Sequence, residues 1–271
     1  MKNIVELIVL GTLVSSAAFL RADPVVPLGT AGSFAVLGAS TVTNTGPSVL
    51  SGNLGVSPGS SITGFPPGTV INGTIHTSDG VAIQAQSDAL TAYNYLSGLS
   101  STQDLTGQNL GFRTLTPGVY SFSSSAQLTG PLTLNFEGLN NADVIFQIGS
   151  TLTTASASLV DLINLGTDDN VFWQVGSSAT LGTMTAFEGT ILADQSITLT
   201  TGATIGCGSA IALNGAVTLD TNTIGACSNG DTGPGTPPSP VPEPASLALL
   251  LTGALGLGRV VRVRFAAQRV E

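Results

Sequence analysis

Basic residues are almost absent from this sequence. Between Ala22 and Gly258 there is no lysine, and Arg113 is the only arginine. Nucleic-acid binding needs several cations to displace the counterions of a phosphate backbone, so that class is excluded. Charge of either sign is scarce, at 8% of 271 residues for a net charge of −9, and the acids stand singly apart from Asp168-Asp169. They read as solvated loop charges that maintain solubility. The sequence has one histidine, His76, and two cysteines, Cys207 and Cys227. That set cannot complete a zinc shell, so neither a metal nor a cofactor is expected. Long apolar runs are missing from the middle of the chain. Its apolar residues come in runs of four to six, far below the ~20 needed for a spanning helix. A mean hydropathy of +0.40 therefore reflects low charge in a soluble, β-rich body. Sugar-cleaving chemistry needs paired carboxylates or a basic residue in a groove. The acids form no visible pair, Arg113 and His76 are the only other acid–base candidates, and Glu188 reads as structural, so no enzyme is expected.

What is abundant is glycine, threonine and short β-branched runs. Thr190–Ala193, Ser196–Thr200, Ala210–Leu213 and Ala216–Leu219 alternate with glycines, and Gly189, Gly206 and Gly225 recur 17 and 19 residues apart (206−189, 225−206). Such an interval suits one turn of a β-solenoid, in which each coil stacks on the next. Gln147-Ile148-Gly149-Ser150 is echoed by Gln174-Val175-Gly176-Ser177. Roughly once per coil comes a Thr-x-Thr-like triplet: Thr154-Ala155-Ser156, Thr183-Met184-Thr185, Thr201-Gly202-Ala203 and Thr221-Asn222-Thr223. Side chains alternate faces along a strand, so the outer two residues of each triplet point the same way, and stacked coils set two parallel files, mostly Thr, at ~4.8 Å spacing. Cys207 and Cys227 lie about one coil apart. A disulfide between them is the expectation, and two buried free thiols the alternative.

Taken in order, residues 1–22 carry Lys2, an apolar stretch from Leu7 to Leu20 and small residues, the layout of a secretory signal peptide. The body runs over 26–227. Within it Ser78 or Asp79 can cap a helix over about 79–97, with Ala82, Ala85, Ala89, Tyr93 and Leu96 on one narrow face. Tyr93 and Tyr95 read as packing residues. Residues 228–240 are a Gly/Pro/Ser linker. Residues 241–265 hold Val241-Pro242-Glu243-Pro244, an apolar run from Ala245 to Val261 at the short limit for a membrane span, and arginines.

This last layout resembles a PEP-CTERM sorting signal, with Pro242, Glu243 and Pro244 as the motif. The resemblance implies cutting by an exosortase and release or attachment outside the cell, often with exopolysaccharide. The body resembles the bacterial and fungal ice-binding protein family, formerly labelled a domain of unknown function. The carrying pieces are Leu28–Asn44, Gly52–Pro67, Leu115–Tyr120, Val171–Val175 and Ala186–Ile191. That resemblance implies a mainly β fold, a right-handed β-solenoid of roughly triangular section with one long α-helix packed alongside. It also implies an ice-binding surface on one flat face bearing Thr-Ala/Gly-x-Thr/Asn motifs. Thr201-Gly202-Ala203-Thr204 matches that pattern, and Thr154-Ala155 matches its first two positions. Thr183-Met184-Thr185-Ala186 and Thr221-Asn222-Thr223-Ile224 depart at the second and fourth.

The expected site is therefore Thr154, Ser156, Thr183, Thr185, Thr201, Ala203, Thr221 and Thr223. The expected partner is an ice surface, met by a secreted monomer. The alternative is an extracellular structural or adhesive matrix protein without ice activity.

Overall fold

The computed structural model describes residues 25–225. It is mainly β, with three parallel sheets of nine, seven and eight strands and one long helix. The chain visits the three sheets in turn. One such coil is Gly118–Phe122, Ala126–Leu128 and Pro131–Asn135. The next is Asp143–Ile148, Leu152–Thr154 and Leu159–Ile163. Each strand pairs in parallel with its equivalent one coil away, as in Phe146↔Trp173 and Leu181↔Leu199.

The stacking order departs from the sequence order. The last coil, with strands Ala210–Ala212, Val217–Asp220 and Thr223–Ile224, lies against the first, with Phe34–Gly38, Thr41–Thr45 and Val49–Ser51. The first and last described coils thus meet in mid-stack. The helix makes this possible. It runs over Gly80–Ser97, between Ile75–Thr77 at one edge of the nine-stranded sheet and Gln103–Asp104 at the other. Eighteen residues span about 27 Å, most of the ~38 Å across nine strands.

Local chemistry explains the helix. The Asp79 carboxylate accepts the Val81 and Ala82 N–H groups at 3.1 and 2.9 Å. His76 Nδ1 lies 2.7 Å from the other oxygen of Asp79, and Thr74 Oγ1 lies 2.8 Å from His76 Nε2. The buried face is Ala82, Ala85, Ala89, Ala92 and Leu96, so small residues let the helix lie close to the sheet. Beneath it are Phe34, Leu37, Ile145, Phe172, Leu192 and Ile211. Gln147 Nε2 donates to the carbonyls of Leu96 and Leu99 and satisfies the helix end.

The core lies inside the three sheets. Tyr120, Phe146, Trp173 and Phe187 form a ladder along the stack, with ring centroids 5.6, 3.9 and 4.7 Å apart. The Trp173 Nε1–H donates to the Glu188 carbonyl at 2.9 Å, which pays its polar cost. Among the described residues no helix is long and apolar enough to cross a membrane. The expected signal peptide, linker, sorting signal and apolar run 245–261 lie outside those residues.

Candidate functional site

Each sheet has an outer face, and the three differ. The nine-stranded sheet is covered by the helix. The eight-stranded sheet carries Asp161 and exposed Leu159 and Ile163, with Glu188 beside its short strand Ala186–Phe187. Among the described residues no helix lies over the seven-stranded sheet, and its strands contain one ionisable side chain, Asp220.

On that sheet the middle residue of most strands points outward between two that point in, while in Ser61–Thr63 Ile62 packs inward and Ser61 and Thr63 face out. Successive pairings run Gln127↔Thr153, Thr153↔Thr180, Thr180↔Thr198, Thr198↔Thr218, Thr218↔Thr43 and Thr43↔Thr63. Six threonines therefore form one continuous file, ended by a glutamine. Parallel pairing sets their spacing at ~4.8 Å. The hydroxyls of Thr153, Thr180 and Thr198 make no hydrogen bond to the protein among the described residues. A flanking row carries further small hydroxyls. The Thr151 hydroxyl donates to Ser125 at 2.8 Å, and Ser178 and Ser196 each accept a backbone N–H from the next coil. Since χ1 of threonine is stiff, the array is ordered before anything touches it.

The triplets singled out in the sequence lie elsewhere, mostly at the corner joining this sheet to the eight-stranded one. Thr154, Thr185 and Ala203 are buried, at 3%, 1% and 0% exposure, and cannot touch a surface. Ser156, Thr183, Thr201 and Thr221 are exposed on the corner turns, and Thr223 is exposed on the eight-stranded sheet, paired with Thr204. The expectation of two outward files from these residues is thus corrected. The cause is backbone geometry. Ala157, Met184, Gly202 and Thr221 have φ of +57°, +56°, +70° and +57°. A left-handed residue within a triplet, as at Met184, Gly202 and Thr221, breaks the two-residue alternation of a strand, and the strand Leu152–Thr154 ends before Ser156 enters the turn, so the outer members no longer share a face.

The buried members serve the corner. Thr154 Oγ1 accepts the Gly182 N–H and lies 2.8 Å from Thr185 Oγ1, which donates to the Ala155 carbonyl. One coil set further, Asn222 Nδ2 donates to the Thr200 and Ala203 carbonyls, and its N–H donates to Ser48 Oγ. A chain turning inside a dry core leaves peptide groups without ladder partners, and these side chains supply them.

The file leaves only a brief signal in the sequence. It is a single threonine between inward residues, as in Ala179-Thr180-Leu181, Ile197-Thr198-Leu199 and Val217-Thr218-Leu219.

Glu188 is half-buried. Burial raises its carboxyl above the usual range, partly opposed by the Cys207 N–H donated to it at 2.6 Å. A side chain on Gly206 would collide with that carboxylate. No cluster of three or more metal-binding side chains occurs among the described residues. No cysteine there is free, and Cys227 lies outside them.

Residues 36–225 match the family model described as ice-binding-like. The chain belongs to this family. It is 59% identical over 246 residues to an ice-binding protein of Nostoc sp. (strain HG1), covering 90% of each chain. It is 32% identical to an ice-binding protein of a Colwellia species, covering 83% of this chain and 93% of that one. Among solved structures, an ice-binding protein from an Antarctic biological consortium superposes with a TM-score of 0.70 at 44% identity, covering 74% of this chain and 90% of that chain. One from the Antarctic ascomycete Antarctomyces psychrotrophicus gives 0.70 at 42%, covering 74% and 97%. The family is not an enzyme family.

Proposed function

We propose that this protein binds ice crystals through the outer face of the seven-stranded sheet. The observation that carries the reading is the in-register file Thr153, Thr180, Thr198, Thr218, Thr43 and Thr63 on a sheet left bare by the helix. A dissolved ligand needs a pocket, whereas a crystal face needs a plane. Each threonine offers an apolar methyl and a hydroxyl able to join a water network. Stiff χ1 angles mean that little side-chain entropy is lost on contact. Sparse charge matters too, because tightly hydrated ions resist merging with a lattice.

The finer reading goes with it. The body is a right-handed β-solenoid of roughly triangular section. It is exported by a signal peptide over 1–22, stapled by Cys207–Cys227, and processed at Pro242-Glu243-Pro244 by an exosortase. It then works as a monomer outside the cell, released or held at the surface near exopolysaccharide. A matrix role without ice activity is the rival, supported by the same sorting layout.

The test is thermal hysteresis and ice recrystallisation on the mature protein, beside a Thr180→Tyr/Thr198→Tyr variant. The expected result is arrested crystal growth for the wild type and at least a roughly tenfold loss for the variant, whose bulky rings break the central contact. A folded wild type that leaves crystal growth unchanged would overturn the proposal in favour of the matrix role.

A further inference from the structure

Asp220 is the one ionisable side chain in the strands of the seven-stranded sheet, and it stands in register with Thr45 at the corner side of the threonine file. A bare carboxylate there would hold its own hydration shell and oppose a merging water lattice. This carboxylate is not bare. The Thr201 hydroxyl donates to Asp220 Oδ2 at 2.5 Å, and the Thr221 hydroxyl donates to Asp220 Oδ1 at 3.0 Å. These are charge-assisted bonds, stronger than those between neutral groups. Thr201 belongs to the preceding coil, so one carboxylate spans two coils. The next step continues the line: a side chain on Gly46, φ +77°, would collide with the Thr221 hydroxyl of the last coil. The cluster therefore sits on the seam where the last described coil meets the first.

We propose that Asp220 is a positioning residue of the ice-contacting surface, an inference that rests on the ice-binding reading. It fixes the rotors of Thr201 and Thr221 so that both exposed oxygens turn lone pairs outward. A threonine hydroxyl left alone can turn either a proton or a lone pair toward water. Committing both protons to one acceptor makes the corner a defined pair of acceptors beside the central file, and it fills acceptor positions on the carboxylate that would otherwise hold water. Two of the corner threonines thereby contribute to the surface although they lie outside the file.

The test uses the mature protein and measures hysteresis together with thermal stability. Asp220→Ala frees both hydroxyls, Thr201→Val/Thr221→Val removes them, and a third protein combines all three changes. Asp220→Asn keeps one acceptor oxygen. Each of the first two is expected to lower hysteresis about two- to fivefold, and the combined protein no further, because they act through one coupled unit. Asp220→Asn should recover part of the loss, which a purely structural corner staple would not do once activity is normalised to folded protein. Wild-type hysteresis retained in Asp220→Ala, or losses that multiply in the combined protein, would overturn the inference while leaving the Thr180/Thr198 result standing. A wild type without ice activity overturns both.

Discussion

The helix-covered sheet and the threonine sheet are made by the same coils, one strand each per turn, yet they present opposite surfaces. In the first, strands such as Phe34–Gly38 and Thr190–Ala193 are buried throughout. In the second, Ala179–Leu181 and Ile197–Leu199 are buried only at their ends. The inner halves match, since both feed the same core. The difference lies in the outward residues: Leu37, Ile145, Phe172, Leu192 and Ile211 against Thr43, Thr153, Thr180, Thr198 and Thr218. A large apolar outer residue stabilises by about 1.5–3 kcal/mol when covered, so that face recruits the alanine-lined helix. A threonine face needs no cover and stays open. The choice of outward residue, on one backbone, thus assigns one side to holding the fold and leaves free the side proposed to meet ice.

The largest break in that comparison comes from Phe172→Ala. Phe172 lies under the helix, 5% exposed, and its loss leaves a cavity between helix and sheet. We expect a destabilisation of about 3–5 kcal/mol by chemical denaturation, with hysteresis per folded molecule unchanged. A loss of hysteresis without a loss of stability would show that the two faces are not independent. Next in size is Thr154→Val. It keeps the shape but strips the acceptor of the Gly182 N–H and the partner of Thr185 inside the core. The expected cost is about 1–3 kcal/mol, the penalty for a buried group left unpaired.

These two positions also show what the sequence discloses. The helix was legible because alanines at helical spacing and a capping Asp79 are local signals, and it is found at Gly80–Ser97. The β character and the repeat were legible from glycine spacing and apolar runs. The outward threonine file of the proposed site was not. Thr154 and Thr153 are neighbours, yet one faces the core and the other the solvent. Which is which depends on where a strand ends and a left-handed corner begins, set by contacts with adjacent coils. The meeting of the first and last coils was hidden for a related reason. It depends on a helix carrying the chain along the stack, and nothing in the pairing residues themselves announces their partners.

The third sheet sharpens the comparison through Glu188, which is neither covered by the helix nor part of the threonine plane. Its carboxyl is raised by burial, with the Cys207 N–H pulling the other way. A folded carboxyl with a raised pKa destabilises the protein above that pKa, and the penalty vanishes as pH falls below its unfolded value. Glu188→Gln can still accept the Cys207 N–H and carries no charge. It should melt higher than wild type at pH 7, with the gap closing toward about pH 4. A gap that holds constant over that range would show that charge burial is not the cause.

The smallest effect on stability is expected from Thr153→Val, one residue from Thr154. Its hydroxyl bonds to nothing in the protein among the described residues, and valine keeps the methyl and the β-branch. Stability should stay within about 0.5 kcal/mol of wild type. Hysteresis, if the hydroxyl file orders water, should fall measurably all the same. Set beside Thr154→Val, this pair separates the two uses of threonine within one strand. The inward hydroxyl is read by denaturation and the outward one by ice. Equal stability costs at both positions would mean that the outward hydroxyls are held by the protein after all, and the plane would lose the free groups it needs to engage a crystal.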